Sequence, residues 1–208
     1  MCNASLMKEK PKDTIHPESR QQLRTWLSQH HGREAGLWLV FNKKSSGKAV
    51  MSYSDIVEEL LCFGWIDSKP NALDEDHSLL WIAPRKETAN WSKLNKERAQ
   101  RLIAAGQMTE VGLQKIERAK LNGTWTALDP VEALELPPDL QSALAAFPQA
   151  QENFSAFPRS VKRNILEWIQ AAKKPETRSK RVQETAQLAA LNQRANQWRD
   201  ASKPKPQT

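Results

Sequence analysis

The chain is short of the residues that staple, signal or anchor. Two of its 208 residues are cysteine, Cys2 and Cys62, and they lie 60 positions apart. That is too few for a disulfide framework and fits a reducing compartment. The opening segment, Met1 to Lys10, has no apolar stretch of the kind a secretory signal needs. No run approaches the ~18 apolar residues of a membrane-spanning helix. The expectation is a cytoplasmic chain without a membrane span. Phosphate-binding Gly-rich loops, the dinucleotide fingerprint, a Gly-x-Ser-x-Gly elbow and zinc-ligand spacings are all missing. Nothing calls for a cofactor or a metal. Any enzyme activity has to rest on a site without a familiar signature, so a binding function is the leading reading.

What is present is an ordinary globular balance, 39% hydrophobic and 26% charged, with a net charge of +7. The positive excess suits acidic partners: nucleic acid, a small anionic ligand or an acidic protein surface. Eight tryptophans stand against a single tyrosine. Most are expected in cores, and any exposed one is a candidate for stacking.

Periodicity predicts an α+β fold, a small sheet with packed helices, followed by an all-α module. Residues 1–15 are polar and expected to be disordered. The α+β domain spans 16–128, a proline-rich linker 129–138, a helical domain 139–199 and a disordered tail 200–208. A first helix is expected from about Pro17. Residues 37–41, 65–67 and 79–83 read as strands. The strongest helical signal is Tyr53, Ile56, Val57, Leu60 and Leu61 behind a Ser52 or Ser54 cap, with Asp55, Glu58 and Glu59 on the opposite, polar face. Ser92 and Thr109 are expected to cap two further helices. In the C-terminal part, Leu140, Leu144 and Phe147 mark one helix, Ser160 caps another, and a long polar helix follows Pro175 to about Trp198.

Several motifs carry chemistry. Asp67 is the one ionisable group ending an apolar strand. It reads either as a general base beside a pocket or as a loop cap or partner of Arg85. Pro84-Arg85-Lys86 follows a strand and precedes a helix start, where cations, backbone N–H groups and the helix dipole together favour an anion. Trp91 is either a staple over the Ser92 cap or a stacking platform, and Asn95 lies one turn further on. With Trp65 and Ser68 these residues form the candidate ligand site. In the enzyme reading, Asp67 is the acid or base and Arg85 the clamp. Asp74, Glu75, Asp76 and His77 resemble metal ligands in composition only, because contiguous residues point in different directions. Cys62 with His77 as a nucleophile pair has no supporting spacing. Finally, Arg159, Lys162, Arg163, Lys173, Lys174, Arg178, Lys180 and Arg181 place eight cations against two acids, Glu167 and Glu176. Such a basic patch suits nucleic-acid backbone, an acidic protein or anionic lipid.

Phe63-Gly64-Trp65-Ile66-Asp67-Ser68, Pro84-Arg85-Lys86, Asn90-Trp91-Ser92-Lys93-Leu94-Asn95 and Ala172-Lys173-Lys174-Pro175-Glu176-Thr177-Arg178 resemble, in order, the YdeI/OmpD-associated family, also described as bacteriocin-protection proteins. The resemblance spans about residues 20–195. Its C-terminal part is similar to the OmdA-type helical domain. It implies a role in stress protection against bacteriocins or antimicrobial peptides and an association with a porin, without a catalytic mechanism.

Overall fold

The computed structural model describes residues 12–47, 51–68 and 70–197. The chain divides into two compact units, Met1–Ala127 and Leu128–Thr208. The first is α+β and the second is helical.

The first unit is organised around a small mixed sheet. Its strands are β1 (Thr14–Ile15), β2 (Leu37–Asn42), β3 (Trp65–Asp67), β4 (Asn71–Ala72) and β5 (His77–Pro84). β1 runs parallel to β2, β2 pairs antiparallel with β5, and β3 and β4 share the other flank of β5. Alternation along β2 and β5 sends Leu37, Leu39, Leu80 and Ile82 into the main core. It sends Val40 and Leu79 to the opposite face, where they meet Leu73. Trp38 and Trp81 form a cross-strand pair on that second face, edge to face at 5.3 Å. Trp81 is 37% exposed.

Helix α1 (Arg20–His30) contributes Leu23 and Leu27 to the main core, and α2 (Tyr53–Cys62) contributes Ile56, Val57, Leu60 and Leu61. Ser52 accepts from the Asp55 backbone N–H while Asp55 reaches back to Ser52, a reciprocal cap that fixes where α2 begins. Gly64, at φ +70°, turns the chain from α2 into β3, a conformation that side chains resist. α3 (Lys93–Ala104) and α4 (Glu110–Leu121) follow, capped by Ser92 and Thr109. α2 packs against α1, α3, α4 and β3 at once. It meets α4 tightly at one point, where a Cβ on Gly112 would sit 2.4 Å from the Cys62 carbonyl oxygen.

Because α2 is covered on several sides, its expected polar face is buried at Glu58 and Glu59, while Asp55 stays partly exposed. Glu58 is 6% and Glu59 2% exposed. Glu59 accepts from Arg20 Nε at 2.6 Å and Arg24 Nη1 at 2.9 Å. Glu58 accepts from Arg101 Nη2 at 2.6 Å and lies 3.2 Å from Arg20 Nη1. These arginines neutralise carboxylates that could not otherwise leave water.

The second unit contains α5 (Asp129–Glu132), α6 (Pro138–Ala145), α7 (Ala150–Ala156), α8 (Arg159–Gln170) and α9 (Pro175–Ala190). α9 packs on α6, α7 and α8, and α5 packs on α8. Leu140, Leu144, Phe154, Ile165, Leu166, Ile169 and Val182 fill the core, and Ala186 and Ala189 let α9 approach closely.

Several boundaries differ from the sequence expectation. α1 starts at Arg20 because Ser19, in extended conformation, accepts from the Gln22 N–H. Residues 129–138 are not a plain linker: Leu128 and Val131 are buried in the helical core around α5. Pro138 and Pro175 open helices at the position where a missing N–H costs nothing. Ser160 lies inside α8, which begins after Pro158. α9 ends at Ala190, well before Trp198. The two-residue strands and α7 carry too short a pattern to be read. Thr14 and Ile15, expected to be disordered, form β1. The expectations for residues 1–11 and for the tail 200–208 lie outside the described residues.

Candidate functional site

Arg85 follows β5 directly, and its backbone N–H donates to the Gly64 carbonyl at 2.9 Å. That bond carries the ladder one residue past the strand and turns the side chain inward. The residue is 3% exposed. Its guanidinium lies over the Trp91 ring, 3.8 Å from the centroid, and Nη2 donates to the Asn90 carbonyl at 2.6 Å. Nε and Nη1 are buried and make no hydrogen bond. Burial pushes the guanidinium down to about 10, against the opposing pull of the Asp67 charge. Arg85 is therefore still a cation at neutral pH, with two of its three nitrogens unengaged.

Trp91 is 2% exposed and leans on Trp125, with ring centroids 4.9 Å apart. Its backbone N–H donates to Thr124. The loop 86–90 passes over Arg85 and is pinned through Glu87, which pairs with Arg118 and whose carbonyl accepts from Asn122 at 3.0 Å. Lys86, Glu87, Thr88 and Asn90 are exposed.

Asp67 ends β3, half-buried, and accepts a hydrogen bond from the Tyr53 hydroxyl at the start of α2. Its other oxygen, Oδ1, accepts none among the described residues. Asn95 Oδ1 accepts from Arg98 Nη1 at 3.2 Å on α3, and the Arg98 charge is felt at Tyr53. Tyr53 and Arg98 are the two members of this neighbourhood that the sequence reading did not select. The Asn95/Arg98 spacing of three on one helix was visible in the sequence; the Tyr53–Asp67 contact, made between two separate elements, was not.

Partial burial and the bond to Asp67 push the Tyr53 phenol up to about 12. The protonated phenol is the form the fold favours. Its stabilisation is complete below pH ~10, the ordinary tyrosine value, and is lost as pH rises through 12. Tyr53 is the chain's one tyrosine, so absorbance near 295 nm follows it without interference. The expected result is ionisation well above 10 in the folded protein, falling back towards 10 in Asp67→Asn. A wild-type titration at 10 would remove the Tyr53–Asp67 bond from the description.

The remaining candidates lie elsewhere. Trp65 is in the main core, donating from Nε1 to the His31 carbonyl at 3.2 Å with its ring edge-on to Trp26. Ser68 is exposed, and its backbone N–H donates to the Trp81 carbonyl. Lys86 is on the surface of the loop. Cys62 is a buried free thiol whose ionisation burial pushes up. His77 is engaged with Asp74 at 2.8 Å. Among the described residues no group of three His, Cys, Asp or Glu side chains could hold a metal, and no helix is long and apolar enough to cross a membrane.

In the second unit the basic segment is largely tied down. Arg178 makes a two-point bond to Asp139 at 2.7 and 2.9 Å, joining α9 to α6. Arg163 is held by Glu132 and Glu167. Arg159, Lys162 and Arg181 donate to the carbonyls of Glu132, Ser155 and Trp168. Lys173, Lys174 and Lys180 are exposed. Local counting missed Glu132 and Asp139, which come from earlier helices.

Residues 133–192 match the family described as bacteriocin-protection, YdeI or OmpD-associated. Residues 15–115 match a separate family, described as a domain of unknown function, DUF8412. The search of curated proteins and the search of solved structures returned no match. The resemblance drawn over residues 20–195 is therefore supported over 133–192, while the motifs around Asp67, Arg85 and Trp91 fall in the other family's region. The helical unit is thus similar, over 133–192, to the family described as bacteriocin-protection, YdeI or OmpD-associated, and the α+β unit to a family described only as a domain of unknown function.

Proposed function

We propose that the chain is a cytoplasmic protein associated with bacteriocin protection that works by binding, and that its α+β unit holds a small anion at Arg85. The association comes from the domain at 133–192. The observation that carries the site is the buried Arg85 guanidinium with Nε and Nη1 unengaged. A buried cation without a hydrogen-bonding counterion costs stability, and an anion bonded to Nε or Nη1 together with the Nη2 hydrogen not given to Asn90 offsets that cost with charge-assisted bonds. With Tyr53 donating to Asp67, the carboxylate is engaged as an acceptor, which favours binding over proton transfer. The second unit's basic segment supports an acidic-partner or nucleic-acid role less well, since five of its eight cations are bonded within that unit.

The test is thermal unfolding of the full chain with sodium acetate, phosphate or sulfate against sodium chloride at matched ionic strength. At least one of these anions is expected to raise Tm over chloride, by about 5 °C at saturating concentration. Arg85→Met should abolish the rise. It should also fold as well as wild type, because it removes a buried charge without opening a large cavity. Wild type that responds no more to any of these anions than to chloride would overturn the proposal.

A further inference from the structure

Resting on that reading, we infer that the ligand is a small carboxylate bearing an amino or hydroxyl group, taken up with its carboxylate on Arg85 and its donor on Asp67. Three observations point to this class. First, one face of the guanidinium is closed by Trp91 at 3.8 Å, so an anion has to approach in the guanidinium plane. A flat acceptor with two oxygens suits that approach, spanning the Nη2 hydrogen not given to Asn90 and the neighbouring Nε–H or Nη1–H. Second, Arg85 and Trp91 are 3% and 2% exposed, and the loop above them is pinned by Glu87 through Arg118 and Asn122. Burial this deep favours an anion that is small and cheap to dehydrate over a dianion with a large hydration shell.

Third, β3 lies against β5, with Asp67 three residues along from Gly64, whose carbonyl accepts the Arg85 N–H, and the Asp67 charge acts on Arg85. A phosphate or sulfate dianion brought to Arg85 meets this carboxylate as a like charge. A monoanion with its own donor meets it as a partner. Tyr53 already donates to Oδ2, which leaves Oδ1 to accept from the ligand. Tyr53, Asn95 and Arg98 then set the far end of the site: Arg98 is held by Asn95, and Tyr53 fixes the rotamer of Asp67.

The experiment measures dissociation constants by calorimetry on the full chain. The probes are glycine, β-alanine, 4-aminobutyrate and the hydroxy acids of the same lengths, with acetate, propionate and butyrate as parents and with phosphate and sulfate. At least one amino or hydroxy acid is expected to bind about tenfold more tightly than its parent, the scale of one charge-assisted hydrogen bond. Asp67→Asn should erase that advantage without weakening the parent acids, which lose a like charge. Arg85→Met should abolish binding of the whole series. Parents equal to their substituted forms, or phosphate or sulfate binding more tightly than every carboxylate, would overturn the ligand class while leaving Arg85 as the anion site. No Arg85-dependent binding of any anion would overturn the site itself.

Discussion

Glu59→Ala is expected to destabilise the first unit by about 3 kcal/mol, seen as a lower urea midpoint at unchanged slope. Removing one member of a buried ion pair costs about 3–5 kcal/mol because the remaining charges lose their partner in a medium that solvates them poorly. Glu59 is 2% exposed and satisfies two arginines at 2.6 and 2.9 Å. The lower end of the range applies because the Arg20 and Arg24 side chains are about one-third exposed, 35% and 31%, and recover some hydration once released. Arg101→Ala is the control: its side chain is 64% exposed, and its loss should cost less than about 1 kcal/mol. A Glu59→Ala protein within 1 kcal/mol of wild type would show that these arginines rehydrate fully and that the buried network adds little.

Trp91→Ala should cost about 3–5 kcal/mol, the range for deleting a buried aromatic ring. The loss combines the area of an almost completely buried indole with its contact to Trp125 and the platform under Arg85. Trp91→Phe keeps a ring beneath the guanidinium and should retain most of the stability. Trp81→Ala, on a partly exposed indole, should cost distinctly less. The measurement is again urea unfolding, followed by far-ultraviolet circular dichroism so that removing an indole does not change the signal. If Trp81→Ala proved the more damaging substitution, the second face of the sheet would be the better-packed side.

How far the sequence was legible follows from how local each feature is. The cap at Ser52, the stop at Gly64 and the caps at Ser92 and Thr109 depend on residues within a turn or two, and they were readable. Glu58 and Glu59 were not, because the one-buried-face rule fails for a helix that packs on three helices and a strand. Their partners stand 35 to 43 positions away in α1 and α3. The same holds at the candidate site. Apolar patterning could not say which tryptophans face the core, so Trp65 and Trp91 looked alike. One proved to be buried packing, the other buried support for a cation. The basic segment looked opposed only by Glu167 and Glu176 because two of its acidic partners, Glu132 and Asp139, come from helices earlier in the chain. Prolines that suggested a linker instead set the first turns of helices.

The sheet margins have a consequence for recognition. The outer ladders, β1, β3 and β4, are only two, three and two residues long, and β5 is flanked by β2 on one side and by β3 and β4 on the other. A peptide seeking to dock by lengthening the sheet finds a short backbone template on either margin, worth few main-chain bonds. The same brevity blunts the tendency of open strand edges to recruit copies of themselves. Selectivity in this unit then falls to side chains and the loops that present them.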